Sequence, residues 1–307
     1  MESASLPPRL ARRQIPRVLS QLVLRMKLDL LLVAILCGIT LALEPQGLIK
    51  RIDIIDVGGL AIMGTAVSIL LALRNSEAIS RWWEARTLWG AVTNVSRHWR
   101  DCLHTLLCSD SAWRGEENRL VALQVLQVWL LNFELRGYWR QDAREAVNRL
   151  CASLGLPAET TLNHSYRARA AAIGRLRQRR AISPWGRDVL LRCAESFTDA
   201  VGGLEKVRNT PLPPVYDVFI RLLSWIFGYT IFLDFTSNHS AITGILLFLA
   251  FLVAERVGAY VEGPFDRDGS SFSLPLDLMC ARISSDLLGP DHPLARLPLS
   301  QDPSLWT

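Results

Sequence analysis

Residues 54–73 read IIDVGGLAIMGTAVSILLAL, twenty residues carrying one charge, Asp56. At about 1.5 Å per residue, a helix of that length matches the ~30 Å hydrocarbon core of a bilayer. Three further apolar segments lie outward from it: Leu28–Leu43, interrupted only by Asp29; Leu222–Leu233, framed by Arg221 and Asp234; and Ser240–Ala254, which ends at Glu255 and Arg256. The last two uncharged runs are short for lipid-exposed spans, and by length alone a pair of buried helices in a soluble bundle would explain them. Two features favour the membrane. The segments form hairpins with short connectors, Glu44–Asp53 and Asp234–His239, and Trp225, Tyr229, Phe232 and Tyr260 are placed to serve an interfacial belt or a packed bundle.

Charge sorting decides between them. Arg9, Arg12, Arg13, Arg17, Arg25 and Lys27 precede the first segment, and Arg74, Arg81, Arg86, Arg97 and Arg100 follow the second. The connector between the third and fourth has no Lys or Arg, while the first connector holds Lys50 and Arg51. Positive-inside bias puts both termini and the middle of the chain in the cytoplasm, with localisation in the cell (inner) membrane. The expected fold is an all-α integral membrane protein with four transmembrane helices and a large cytosolic helical domain. Its divisions are a basic cytosolic segment (1–27), a first hairpin (28–74), the cytosolic helical domain (75–213), a second hairpin (214–261) and a C-terminal cytosolic segment (262–307).

Composition agrees. The 307 residues are 50% hydrophobic and 21% charged, which excludes disorder, collagen and a disulfide scaffold. Thirty-four basic against 29 acidic residues give +5, yet the basic residues flank apolar segments, so nucleic acid is not the expected partner. Six cysteines (37, 102, 108, 151, 193 and 280) form no C-x-x-C, consistent with a reducing compartment. No small-residue cleavage signature follows the first segment, and no signal peptide is read.

The stretch Asn75–Pro214 is too charged to span a membrane and too apolar for disorder. Within it, Leu120–Phe133 is strongly apolar but bracketed by Glu117, Arg119, Glu134 and Arg136, which favours a buried helix over a fifth span. Breaks are expected at Gly155–Pro157, at Ser183–Gly186, and at Pro211, Pro213 and Pro214. There is no useful β-alternation and no internal repeat of 20–50 residues.

Candidate chemistry is sparse. His98, Cys102, His104 and Cys108 are zinc-type ligands, but at about 100° per residue they fall on two faces of one helix and cannot converge, so packing is the expected role. Asp266-Arg267-Asp268-Gly269 begins like a calcium loop without its later acidic positions; a polar turn is favoured, with Asp266 and Asp268 as weak metal candidates. The run Arg167, Arg169, Arg175, Arg177, Arg179 and Arg180 reads as a solvated helix face, though it would also attract anions or anionic lipid. No phosphate-cradling loop, nucleophile elbow or metalloprotease motif supports an enzyme, and no cofactor is expected. In the second apolar segment Ala61, Thr65, Ser68 and Ala72 form a small-residue stripe, with Thr65, Ile69 and Leu73 beside it at i, i+4 spacing. That stripe suits either helix packing or apolar rings around a pore that gate by excluding water.

Residues 74–90 then read RNSEAISRWWEARTLWG, carrying Arg74, Asn75, Arg81, Trp82, Trp83, Glu84, Arg86, Trp89 and Gly90. This strongly resembles the R-N-x-x-A-x-x-R-W-W-E-x-R-x-x-W-G stretch of the bacterial branch of the bestrophin family. Thr210-Pro211-Leu212-Pro213-Pro214-Val215-Tyr216 before the third segment agrees in order and context, as do Glu262-Gly263-Pro264-Phe265 and Leu274-Pro275-Leu276 after the fourth. The similarity runs from about residue 20 to 290.

The resemblance implies a homopentameric ion channel in a lipid bilayer, with one pore on the five-fold axis and passive conduction of chloride or other monovalent anions. It places three neck rings at Thr65, Ile69 and Leu73, where the family usually carries bulkier side chains. It also places a cytosolic constriction at Trp185, 31 residues before Tyr216, where relatives commonly have an aliphatic residue. Of the calcium clasp of eukaryotic relatives, one acidic position falls on Asp268 and another on Ser271, so calcium activation is not expected. A buried ion pair is the expected role of Arg81 and Glu84. Rival readings are cation conduction through the same architecture, a non-conducting membrane scaffold, and a transporter, for which the sequence shows little of the usual mid-membrane ionisable groups or broken helices.

Overall fold

The computed structural model describes residues 19–43, 57–107, 113–265 and 272–297. Among these every regular element is a helix: α1 (Leu19–Arg25), α2 (Lys27–Leu43), α3 (Val57–Leu107), α4 (Arg114–Arg136), α5 (Gln141–Ser153), α6 (Leu162–Gln178), α7 (Pro184–Asn209), α8 (Pro214–Ser237), α9 (Ala241–Val261) and α10 (Leu276–Leu288). The first connector, Asp266, Asp268, Ser271 and Cys108 lie outside the described residues, as does most of the basic N-terminal segment.

Helix ends follow local chemistry. Thr161 caps α6 by accepting the His164 N–H, and Ser183 caps α7 by accepting from Gly186 at 3.0 Å, with Pro184 at the first helical position. Gly137, at φ 59°, closes α4 in a left-handed conformation. Gly155, at φ 69°, turns the chain between α5 and α6. The expected breaks fall at these positions, and Pro214 opens α8. Helix α3 runs 51 residues without a break, about 77 Å, because no proline occurs in it and most of its residues favour helix.

The chain forms two compact units. The first comprises residues 1–82 and 211–263. One of its apolar clusters joins α2 to α8 and α9 through Val33, Cys37, Phe232, Phe248 and Leu252, and a second joins α3 to α8 through Val67, Leu71, Ile220 and Phe227. Close approach of α8 and α9 depends on Gly228, which faces the Phe248 ring, and on Gly244, whose added Cβ would lie 3.0 Å from the Phe232 backbone. Helices α3, α8 and α9 are long and apolar enough to cross a membrane. The α1–α2 pair, bent by 69°, passes the same test when taken as one. The short uncharged runs of the third and fourth segments extend at their ends into helices of 24 and 21 residues, which restores bilayer length.

The second unit comprises residues 83–210 and 264–307 and is organised around α4, buried from Leu120 to Phe133 except at Ala122. Its polar side chains are met from neighbouring helices. Trp129 donates to Ser284 at 2.9 Å and Asn132 to Asp277 at 2.6 Å on α10, while Gln127 accepts from Arg169 at 2.8 Å on α6. Buried donors and acceptors that find such partners avoid the desolvation cost of being left alone.

Candidate functional site

Helix α3 has two faces. Val67, Leu71, Arg74, Ala78, Ala85, Trp89 and Val92 are buried at a helical rhythm. Thr65, Ile69 and Leu73 stand on the other face, and Ile69 and Leu73 are 55% and 56% exposed. Ala61, Ser68 and Ala72 are exposed beside them, so the small-residue stripe is not where α3 meets its own chain. Thr65 turns its hydroxyl onto the Ala61 carbonyl at 2.9 Å. Its hydrogen-bonding capacity is thereby partly satisfied by the helix itself, and the stripe is less polar than its composition.

Immediately after Leu73, the chain is tied together by charge. Arg74 is 1% exposed; its Nη1 donates to the Glu255 carbonyl at 3.0 Å, and its Nη2 pairs with Asp217 and lies 3.7 Å from Glu262. Asn75 donates to the Ala254 carbonyl at 3.1 Å, and Glu262 accepts the Leu212 N–H at 2.9 Å. A planar guanidinium suits this multi-acceptor position, for its donors are fixed in a fork. A second cluster ties α2 to α8 and α9: Asp29 accepts from Arg256 at 2.6 and 2.9 Å and from Arg221 at 3.2 Å. The Glu255 carboxylate is buried and accepts no hydrogen bond among the described residues, with Arg256 Nε 3.5 Å away.

The other motif residues have separate surroundings. Trp89 is buried, Trp82 and Arg81 half-buried, Trp83 and Arg86 exposed, and Gly90 faces the Arg86 guanidinium. Glu84 corrects an expectation: it pairs with Lys206 at 3.3 Å, both side chains largely exposed, and is not in a buried ion pair. Pro213 caps α8 and its carbonyl accepts the Tyr216 N–H, with Pro211 two residues earlier. After Gly263, the Pro264 carbonyl accepts from Leu274 at 2.8 Å and Phe265 is buried. Trp185 stands on the first turn of α7, 67% exposed.

Residues 7–289 match the family model described as "Bacterial/Fungal Bestrophin protein". The chain belongs to the bestrophin family. Curated relatives include a voltage-dependent anion channel-forming protein of Ralstonia nicotianae, 27% identical over 75% of this chain and 76% of that one. A protein of the same description from Synechocystis is 25% identical over 72% and 73%. Among solved structures, a variant of a bacterial bestrophin homologue from Klebsiella pneumoniae matches with TM-score 0.70 and 23% identity, covering 87% of this chain and 98% of that one. A second structure of that homologue gives 0.68 and 23%, over 90% and 99%.

In this bestrophin nothing in the sequence marks which acceptors surround Arg74. Asp217 and Glu255 show in the sequence only as charges near the ends of apolar segments, Glu262 as the first residue of the Glu262–Phe265 stretch with nothing to mark its partner, and Asp29 as an interruption of an apolar segment. Arg169 also departs from the solvated face expected of its run. It is buried, donates to Gln127, and stacks over the Tyr166 ring at 5.2 Å, and burial holds its pKa down to about 10. Of the four zinc-type residues, His104 pairs with Glu117 at 3.0 Å, whereas His98 and Cys102 lie together at 3.4 Å. Cys193 of α7 joins that pair, 3.7 Å from Cys102.

Proposed function

We propose that this chain is the subunit of a passive anion channel, conducting chloride or similar monovalent anions. Five copies surround a single pore lined by α3, in a bilayer crossed by four spans per subunit: α1–α2, the first half of α3, α8 and α9. Both termini and the helical unit built on α4 lie in the cytoplasm, the membrane is the inner membrane, and the segment divisions follow 1–27, 28–74, 75–213, 214–261 and 262–307. Thr65, Ile69 and Leu73 form three successive neck rings, Trp185 forms the cytosolic constriction, and no cofactor or nucleic acid takes part.

The observation carrying this reading is the bare apolar face of α3. Only 17% of its most apolar window is buried within the chain, against 28% for α8 and α9, although it carries the small and medium side chains of a packed or pore-lining helix. The relatives' description as anion channel-forming supplies the activity. A ring of Ile or Leu side chains gates by dewetting and contributes no fixed charge, so the sign of selectivity comes from elsewhere along the pore. Of the motif residues, Arg74 and Asn75 hold the lining helix to α8 and α9. With Asp266 and Asp268 as the only acidic remnant of the loop, calcium activation is not part of the proposal.

The test is the reversal potential of the purified protein in planar bilayers under a KCl gradient. A shift toward the chloride equilibrium potential is expected. A shift toward the potassium potential would overturn the anion assignment, and verified pentamers that pass no current under any voltage would overturn the channel.

A further inference from the structure

We infer that His98, Cys102 and Cys193 form a binding site for a thiophilic divalent cation of the zinc type, joining α3 to α7. His98 and Cys102 are one turn apart on α3, which brings an imidazole and a thiol to one face. Cys193, 91 residues away in sequence, enters from α7, and one ligand atom from each residue lies within 4.8 Å of the other two.

The distances have the scale of a metal site. Zinc bonds of ~2.3 Å to sulfur and ~2.0–2.1 Å to nitrogen, set at tetrahedral angles, require S···S near ~3.8 Å and S···N near ~3.6 Å. The observed Cys102–Cys193 sulfur separation is 3.7 Å, and Cys102 Sγ lies 3.4 Å from His98 Nε2. Both edges are already in place, and the third, from His98 to Cys193, lies within 4.8 Å, with the His98 side chain exposed. Two thiolates and one imidazole are a donor set that selects zinc and its soft neighbours over magnesium or calcium.

A route for the ion is present. His98 and Cys193 also line a cleft of about 320 Å³ whose other walls are Val95, Val189, Arg192 and Ser196. Three protein ligands leave the fourth position to water or a small anion, the pattern of an open zinc centre. Binding releases the two thiol protons to solvent as the metal–sulfur bonds form. A bound ion would clamp α7 to α3 about 12 Å along the helix from Trp185.

The reduced, metal-stripped full-length protein in detergent is titrated with Co2+, which reports thiolate ligation as a charge-transfer band. About one Co2+ per chain is expected, displaced by Zn2+, with Zn2+ protecting Cys102 and Cys193 from alkylation and raising the melting midpoint. His98→Ala, at an exposed position, is expected to weaken binding by at least about tenfold, and Cys102→Ala/Cys193→Ala to abolish the band. The site is overturned if wild-type protein with both thiols reduced gives no band, or if the double variant keeps it. It is also overturned if the two cysteines close to a disulfide on removal of reductant whether or not metal is supplied. None of these outcomes depends on whether the protein conducts ions.

Discussion

Arg74 is the residue on which the first unit turns. Its guanidinium is buried against the Glu255 carbonyl, Asp217 and Glu262, so Arg74→Ala strips a desolvated network of its cation. Breaking such a pair costs about 3–5 kcal/mol. The lower end is expected here, because Asp217 is 39% and Glu262 16% exposed at the side chain and regain solvent. Thermal melting of detergent-solubilised protein should show that loss, with Arg74→Lys recovering only part of it. At the other end of the chain, the Leu294 N–H donates to His292 Nδ1 at 3.2 Å, and burial lowers the His292 pKa. A base with a lowered folded pKa favours folding above its unfolded value. Its contribution declines as pH falls through about 6.5 toward the lower folded value. Protection of the Leu294 amide from hydrogen exchange should therefore weaken on acidification across that range in wild type, and lose this pH dependence in His292→Ala.

Among the helices, α3 shows what a sequence discloses and what it conceals. Its apolar half was legible because twenty residues with one charge have few uses outside a bilayer. The motif beginning at Arg74 marked where the polar half starts. Helix α4 was legible for the opposite reason: Glu117, Arg119, Glu134 and Arg136 crowd its apolar run too closely for a span. Partners were not legible, because hydropathy and periodicity describe one segment at a time. Asp217 and Glu262 reach Arg74 across 143 and 188 residues, and Gln127 turns Arg169 from a surface charge into a buried one. Cys193 likewise completes a cluster that one helix could not. The α3–α9 contact gives an element-scale prediction. A Cβ at Gly258 would strike Asn75 Oδ1 and lie 2.8 Å from Arg74 Nη1, so Gly258→Ala must displace the residues that bind α3 to α9. Overpacking of this kind costs about 1–3 kcal/mol. A lowered melting midpoint is expected, while Gly38→Ala, inside α2 with open space at its Cβ, does not lower it.

At the scale of the whole molecule, a single chain leaves much apolar surface uncovered: Ile62, Ile242 and Val215 are 74%, 77% and 81% exposed, as well as Ile69 and Leu73. Lipid and neighbouring subunits can cover most of that surface in a membrane protein, but residues on a pore axis face neither, and this separates the two uses of α3. If Leu73 packs against a neighbour, Leu73→Ser loses apolar burial and loosens the assembly. If it forms a ring around water, the same change removes a dewetting barrier and leaves the subunit contacts alone. The pore reading predicts the second result: single-channel conductance or open probability rises in Leu73→Ser, and native mass spectrometry still finds five copies. It also predicts an unchanged reversal potential, because neither leucine nor serine carries charge and the neck does not set the sign of selectivity. A variant that dissociates, or that shifts the reversal potential as strongly as a charge substitution would, places Leu73 in an interface or in the selectivity machinery and removes it from the neck.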